Sequence, residues 1–317
     1  MPSHFSRRKF LVGMGAVATA GKAGSFVMAT SGDAPAAANK FPIGFSTLGC
    51  PAWNWDKILD FAQQHGFIGL ELRGLQGNMD LPTCPEFGPG RIEQSKKDIA
   101  AHSLHISSVD SSASMDDPDP KEHEAQLADA RRFIDLASEL GASYVRVFGN
   151  LIAGTPDEAI ARVAKSLRQL GDYSGPKNVT VLMESHGDFT HSPMLLEIFE
   201  QANSPHVALL WDAHNTYVNG GEDPAFTIAR LGRYVRHTHI KDSVGKGDQD
   251  HYVLTGRGEV PVKQQVQLLV DIGYKGYYSF EWEKAWHPDI EDPEIAFPEY
   301  ADVMTKYLKD AYAHRRK

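Results

Sequence analysis

Residues 179–186 read Val-Thr-Val-Leu-Met-Glu-Ser-His, and residues 207–214 read Val-Ala-Leu-Leu-Trp-Asp-Ala-His. Each stretch is a short run of apolar residues that ends in a carboxylate and, two positions later, a histidine. An apolar run without polar alternation is typical of a strand that is buried on both faces, as in a parallel sheet. Similar runs recur along the chain and predict eight strands, at residues 43–48, 69–73, 105–111, 144–148, 179–184, 207–211, 234–240 and 277–281.

Segments of helical periodicity separate these strands. Several apolar stripes stop at a glycine, namely at Gly66, Gly141, Gly171 and Gly273. Glycine just past an apolar stripe indicates the end of a helix, and a last helix is expected over residues 298–313. Eight βα units in about 250 residues are typical of a (β/α)8 TIM barrel, here one domain over residues 39–317. A doubly wound open sheet is the alternative, but residues 46–50 after the first strand do not form the G-x-G-x-x-G turn that this fold usually carries.

The N-terminal segment differs in composition from the rest of the chain. Residues 6–11 read Ser-Arg-Arg-Lys-Phe-Leu, a small apolar run follows over residues 12–20, and residues 34–38 are rich in alanine. This order resembles a Tat export signal, so residues 1–38 are expected to be a cleavable signal segment that engages the Tat machinery and directs the protein to the periplasm. An amphipathic or disordered tail is the alternative. Lys22 interrupts the apolar stretch short of the ~18 residues of a spanning helix, so no permanent membrane anchor is expected.

Charge and cysteine content exclude several classes of protein. The 317 residues include 32 basic and 41 acidic side chains, which give a net charge of −9. Residues 1–38 hold four basic residues and one acidic residue, so the remainder carries −12. A negative chain repels a phosphate backbone, so nucleic acid is not expected as a partner. Cys50 and Cys84 are too few for a disulfide framework, and a disulfide between them, which export would permit, is not the favoured interpretation.

Polar residues interrupt the apolar pattern at the C-terminal ends of five strands, in pairs two positions apart. The pairs are Glu71 and Arg73, Glu184 and His186, Asp212 and His214, His239 and Lys241, and Glu281 and Glu283. Alternate residues of a strand share a face, so both members of a pair are expected to point the same way. The carboxyl ends of barrel strands form the mouth where (β/α)8 enzymes carry their active sites. These ten side chains are therefore candidates for a site at the mouth.

The carboxylates in this set predict a bound cation. Glu184, Asp212 and Glu281 would repel one another in a desolvated site, because buried charges must be paired or must coordinate an ion. Oxygen ligands with one imidazole and no thiolate favour one divalent ion, Mn²⁺ or Mg²⁺, with Co²⁺ or Zn²⁺ as alternatives. Each residue alone could equally be a helix cap or a core group. Because these residues occupy equivalent positions on successive strands and are expected to point to the same side, a single site is favoured.

Several motifs carry a resemblance to a known family. They are Met183-Glu184-Ser185-His186, Trp211-Asp212-Ala213-His214, His239-Ile240-Lys241-Asp242, Phe280-Glu281-Trp282-Glu283, Cys50-Pro51-Ala52-Trp53, the strand at residues 69–73 and the Gly-Arg-Gly-Glu-Val-Pro loop at residues 256–261. Over roughly residues 41–315 the chain resembles the xylose-isomerase-like sugar phosphate isomerase/epimerase superfamily. The resemblance implies metal ligation by Glu184, Asp212, His239 and Glu281. Its H-x-K-D motif selects His239 over His237, which we expect one layer deeper.

The resemblance also implies a reaction and further contact residues. Epimerases of this superfamily use two glutamates to remove and return a proton beside a carbonyl, which implies Glu184 and Glu281 as the catalytic pair. Side chains expected to contact substrate are His186, His214, Lys241, Arg257, Glu71, Arg73 and Trp53. The chain departs from the superfamily at His214, which follows Asp212 by two positions where three is usual. Glu71 and Arg73 could instead pair with each other, and Arg257 could be an exposed loop charge.

The leading functional hypothesis is a metal-dependent isomerase or epimerase of a sugar, polyol or keto-sugar, a small-molecule carbohydrate. A lyase or dehydratase that acts on a keto-sugar or keto-glycoside would use the same site. A phosphodiesterase similar to endonuclease IV is less favoured, because it needs a basic groove. A non-catalytic carbohydrate-binding protein and assembly into a homo-oligomer stay open.

Overall fold

The computed structural model describes residues 41–245 and 250–315. The expected export signal at residues 1–38 lies outside the described residues and stays a prediction. Within the described part, no helix combines the length and the apolar composition that crossing a membrane requires.

Eight parallel strands close into a barrel, which confirms the predicted TIM-barrel fold. The barrel strands are β1 (Ile43–Ser46), β2 (Gly69–Leu72), β3 (His105–Ser114), β4 (Tyr144–Phe148), β5 (Thr180–Glu184), β6 (Val207–Asp212), β7 (Val235–Ile240) and β10 (Tyr278–Phe280). Around the ring they follow the order β1-β10-β7-β6-β5-β4-β3-β2. Between β7 and β10, β8 (Asp242–Val244) and β9 (His251–Val253) form a separate antiparallel pair at the mouth.

Helices cover the outside of the barrel. In the described residues they are α1 (Trp55–Gln64), α2 (Ile92–Ala101), α3 (Pro120–Leu140), α4 (Pro156–Ser174), α5 (Ser192–Ala202), α6 (Ala213–Val218), α7 (Pro224–Leu231), α8 (Val262–Asp271) and α9 (Pro293–Arg315). Local sequence explains their ends: at α4, Thr155 and Glu158 form a reciprocal capping box, which satisfies two backbone donors. After α3, Gly141 takes φ 74°, a conformation that glycine adopts without steric cost.

Two helix boundaries differ from the sequence-based expectation. Gly171 lies inside α4, where a Cβ atom would approach Ser204 Oγ to 2.6 Å. Glycine is therefore needed there for close packing, and the helix continues past it. The last helix begins at Pro293, where a proline removes only a backbone donor that has no helical partner, and the helix continues through Pro298 in its second turn.

Candidate active site

Side chains that point into the barrel change from apolar to polar along its axis. Leu182, Ala208 and Leu210 form one apolar cluster on β5 and β6, next to the acidic end of each strand. Glu184 and Asp212 lie two residues beyond Leu182 and Leu210, so the period of the strand puts them on the same inner face at the carboxyl end. The apolar layer closes the lower barrel, and the acidic layer opens to the mouth.

Four strand-end side chains meet in this acidic layer: Glu184, Asp212, His239 and Glu281. Their ligand atoms all lie within 4.8 Å of one another, and all four residues are buried. His239 Nδ1 is 3.0 Å from Glu281 Oε2 and 3.5 Å from Glu184 Oε1. Three carboxylates around one imidazole form an oxygen-rich set of the kind that binds a hard divalent cation.

Unsatisfied polar atoms show that this set fits a cation. Among residues 41–245 and 250–315, Glu184 Oε2, Asp212 Oδ2 and His239 Nδ1 are buried and make no hydrogen bond of good geometry. Buried polar atoms in folded proteins almost always have a partner. A divalent ion between these atoms would supply the missing contacts.

Lys241 supplies the positive charge nearest to the cluster. Its Nζ is 2.8 Å from Asp212 Oδ2 and 2.6 Å from Glu283 Oε1, and it also donates to Glu281. Burial lowers the pKa of Lys241, but the carboxylates of Asp212, Glu281 and Glu283 outweigh burial and raise this pKa well above its usual value. One ammonium group thus faces three carboxylates, so the charges around Lys241 sum to a negative value.

Glu71 lies beneath the cluster and orients its histidine. Glu71 Oε2 is 3.1 Å from His239 Nε2, is 2.7 Å from His237 Nε2, and accepts a hydrogen bond from Ser279 Oγ at 2.9 Å. Burial raises the pKa of Glu71, but the two histidines lower it further, to well below its usual value. The ionised carboxylate faces His239 Nε2 as a charge contact without a hydrogen bond of good geometry, and Nδ1 is directed to the other three ligands. Glu71 therefore lies below the mouth rather than against a substrate, and it does not pair with Arg73.

A buried arginine on the neighbouring strand was missed by the sequence reasoning. Arg146 NH1 is 3.1 Å from Glu184 Oε2, and Arg146 Nε is 3.5 Å from Asp110 Oδ2. Burial raises the pKa of Glu184, but Arg146 and His239 lower it well below its ordinary range. Burial and the charge of Glu71 raise the pKa of Asp110 to about 7. The signal in the sequence was a lone charge in the apolar strand Tyr-Val-Arg-Val-Phe at residues 144–148.

A cavity of about 210 Å³ opens above the cluster. Its walls include the predicted catalytic glutamates and three of the predicted contact residues, namely Glu184, Glu281, His186, Lys241 and Arg73. The cavity is smaller than the ~300–1,000 Å³ typical for drug-sized ligands. Its size favours a small substrate.

The fold and the cluster can be compared with known proteins. A family model described as xylose isomerase-like TIM barrel matches residues 59–307. The chain belongs to the xylose isomerase-like TIM-barrel family. Its buried cluster lies at the carboxyl ends of the strands, where TIM-barrel enzymes carry their active sites.

Curated relatives of this TIM barrel are an epimerase and a dehydratase. Fructoselysine 3-epimerase of Shigella flexneri is 29% identical over 47% of this chain and 55% of its own length. Inosose dehydratase of Klebsiella pneumoniae is 29% identical over 49% of this chain and 56% of its own length. The chain thus matches little more than half the length of these relatives. A crystal structure of the protein IOLI with a bound zinc atom has the same fold, with a TM-score of 0.70, 17% identity and coverage of 87% of this chain and 99% of that one.

His214 does not lie where the strand pattern of the barrel predicted it. Helix α6 begins at Ala213, directly after Asp212, whose side chain accepts a hydrogen bond from Asn215 N at 2.9 Å. The repeat of the side-chain direction therefore changes at this point from two residues, as in a strand, to 3.6 residues, as in a helix. As a result, His214 points toward Ser243 Oγ, 2.9 Å away. Asn215 lines the cavity instead. It follows Asp212 by three positions, which is the spacing that the resemblance led us to expect for a histidine.

Two other predicted contact residues of the barrel lie away from the cavity. Trp53 is buried against Phe61 and Phe297, at ring distances of 4.6 and 5.7 Å. The side chain of Arg257 is 63% exposed and pairs with Glu299 at 2.7 Å. Trp286, not Trp53, is the tryptophan at the cavity wall.

Asp242 explains the glycine-rich loop at residues 256–261. Its carboxylate accepts hydrogen bonds from the backbone of Gly256, Gly258 and Val260. A Cβ atom at Gly258 would lie 2.1 Å from Asp242 Oδ1, so glycine is required there. Because the loop closes around Asp242, the side chain of Arg257 is left on the outside.

Proposed function

We propose that this protein is a divalent-metal-dependent isomerase or epimerase of a small keto-sugar, sugar or polyol. The proposed reaction is proton abstraction next to a carbonyl, with Glu184 and Glu281 as the catalytic pair. The proposal rests chiefly on one observation: these two buried glutamates both lie next to His239 Nδ1. Glu184 comes from β5 and Glu281 follows β10, and these strands are three positions apart around the ring. A substrate in the cavity would be met by carboxylates on two sides.

The proposed metal ligands are Glu184, Asp212, His239 and Glu281. A divalent ion bound there would stabilise the negative charge that develops on the substrate oxygen when the proton leaves. Mn²⁺ or Mg²⁺ is proposed because three of the four ligands are carboxylates. Zn²⁺ stays an alternative, since a structure of the same fold contains it.

The protein side chains supply the proton chemistry. Arg146 keeps Glu184 ionised, which is the state a general base requires. The pKa of Glu281 is lowered to about 2, because His239 and Lys241 outweigh the effect of burial. Both glutamates are therefore ionised in the free site, and one of them must take up a proton from solvent when substrate binds. Epimerisation then needs one ionised and one protonated glutamate, and the two exchange these states during the reaction. Lys241 contacts Glu281 directly and is proposed to hold this carboxylate in position; His186 and Asn215 are proposed to contact substrate hydroxyl groups.

Solvent isotope exchange tests the proposal. The Mn²⁺-loaded protein is incubated with a panel of ketoses and keto-sugars in D₂O, and recovered sugars are analysed by NMR. We expect deuterium at the carbon next to the carbonyl in an isomeric sugar, and no exchange with Glu184→Gln. Complete absence of exchange across the panel would contradict the proposal.

A dehydratase is the second candidate, favoured by the similarity to inosose dehydratase. Elimination begins with the same proton abstraction but expels a hydroxyl group from the neighbouring carbon. The same experiment separates the two functions, because elimination yields an unsaturated or dehydrated product.

We further propose export by the Tat pathway, on the basis of residues 6–11. Replacing Arg7 and Arg8 by lysine in the full chain should retain the protein in the cytoplasmic fraction. Unchanged distribution would contradict export by this route.

A further inference from the structure

Arg73 is a buried guanidinium group at the cavity wall that makes no ion pair with any of the described residues. The residue is 7% exposed, and its NH2 group donates one hydrogen bond to Ser112 Oγ at 3.0 Å. Its NH1 group is buried and has no hydrogen-bond partner among residues 41–245 and 250–315. None of the described carboxylates forms an ion pair with it.

The other buried cations at the mouth are paired. Arg146 contacts Glu184 and Asp110, and Lys241 contacts three carboxylates. Burial and the positive charge of Arg146 lower the pKa of Arg73 to about 10, so it stays charged at neutral pH. A buried charge without a partner is costly. Among the described cations of the mouth, Arg73 is therefore the one without an ion pair, and Asp110, Glu281 and Glu184 act on it only at longer range.

The backbone around Arg73 is fixed in place. Arg73 N donates to Thr47 Oγ1 at 2.9 Å, and Thr47 Oγ1 donates to Gly74 O at 2.6 Å. Gly74 takes φ 120°, and a Cβ atom there would lie 2.6 Å from Met79 Sδ. These contacts and Ser112 hold the guanidinium in place before any ligand binds. Less conformational entropy is therefore lost on binding.

We propose that Arg73 binds a carboxylate of the substrate, so that the substrate is a sugar acid. This inference rests on the proposed function. A guanidinium offers a planar fork of donors that matches a carboxylate. A phosphate dianion fits less well, because Glu184, Glu281 and Glu283 line the same cavity and would repel a second negative charge more strongly.

A second, smaller cavity supports this assignment. It measures about 150 Å³ and shares Arg73, Leu48 and Trp286 with the first, and Pro51 and Met79 add further apolar wall. Apolar surroundings strengthen a charge-assisted hydrogen bond. Arg73 lies at the boundary of the two cavities, where an anionic end group of a substrate could meet it.

Binding of three matched ketoses tests the inference. D-fructose, D-fructuronate and D-fructose 6-phosphate share a skeleton and differ at C6. With the Mn²⁺-loaded full chain we expect calorimetry to give at least tenfold tighter binding of fructuronate than of fructose, which is about 1.4 kcal/mol, and no preference for the phosphate. In Arg73→Gln, the affinity for fructuronate should fall until it is nearly equal to the affinity for fructose. Arg257→Gln is the matched control and should keep the wild-type preference.

Four outcomes would overturn the inference: no binding of fructuronate, equal binding of fructose and fructuronate, a stronger preference for fructose 6-phosphate, or a preference that Arg73→Gln retains. Thermal unfolding is a second measurement. Without ligand, Arg73→Gln should unfold close to the wild-type temperature, because Arg73 makes no ion pair among the described residues and the cost of burying its charge offsets the longer-range attraction of Asp110, Glu281 and Glu184. A marked drop would show that Arg73 has a structural partner and would contradict the inference.

The two proposals can fail separately, because binding is measured without turnover. A fructuronate preference with no deuterium exchange on any ketose would remove the proposed function and leave the role of Arg73. Deuterium exchange on neutral ketoses, without tighter binding of the carboxylate, would support the proposed function and contradict the role of Arg73.

Discussion

Two sides of the barrel mouth neutralise their buried carboxylates in different ways. On the side of β3 and β4, Arg146 lies between Asp110 and Glu184 and pairs with both. On the side of β6, β7 and β10, Asp212 and Glu281 share only Lys241 and the His239 ring. The first side is compensated by the protein itself. The second is not, and this difference indicates which carboxylates require an added cation.

The largest expected effect comes from removing a carboxylate on the uncompensated side. Asp212→Asn should weaken Mn²⁺ binding by more than about 100-fold, above the 10–100-fold cost of losing an outer partner, and should abolish isotope exchange. Asp110→Asn is the matched control from the compensated side and should retain Mn²⁺ binding. Calorimetric titration of both variants measures the difference, and equal losses would show that the two sides do not differ.

The pH dependence of stability tests the compensated side. The pKa of Asp110 is about 7 in the folded chain against an ordinary value of 3.8, so between these values the folded state binds more protons than the unfolded state. Stability from this group therefore falls as pH rises from about 4 to about 7, by a few kcal/mol at most. In metal-free protein, the unfolding free energy of the wild type relative to Asp110→Asn should decrease over that window. A difference that is constant with pH would contradict the shifted pKa.

A smaller effect is expected beneath the cluster. Glu71→Gln keeps the shape of the side chain but removes the charge that holds His239 Nε2, and it should weaken Mn²⁺ binding by roughly 10–100-fold. Ser279→Ala removes only a neutral donor to Glu71 and should change affinity much less. If the two substitutions had the same effect, Glu71 would not orient the histidine through its charge.

The smallest effect is expected far from both sides. Arg257 is exposed and paired with Glu299, and such surface pairs contribute about 0–1 kcal/mol. Arg257→Gln should leave isotope exchange unchanged and should lower stability by no more than that amount. A tenfold loss in kcat/KM would restore the role in substrate binding that its position between two glycines suggested.

The fold could be predicted because the buried strands read as apolar runs with a regular helical spacing between them. The four cluster residues could also be predicted to lie together, since the period of two puts Glu184 and Asp212 on one inner face. His214 could not, because a helix begins at Ala213 and changes the period. Arg257 could not, because only the structure shows that its loop closes around Asp242.

Other features were present in the sequence without a clear signal. Arg146 stood alone in its strand, and no motif indicated that it would pair with both Asp110 and Glu184 across the barrel. No local pattern showed that Trp53 would pack against α1 and α9 or that Trp286 would line the cavity. These outcomes depend on contacts between distant segments, which local periodicity does not encode.

We propose that a divalent cation, not Lys241 alone, compensates Asp212 and Glu281, with Glu184 and His239 completing its set of ligands. A crystal structure of the Mn²⁺-soaked full chain, with anomalous data collected near the manganese edge, tests it most directly. We predict one anomalous peak between Glu184, Asp212, His239 and Glu281. Absence of a peak, with the Lys241 ammonium remaining between Asp212 and Glu281, would contradict the claim.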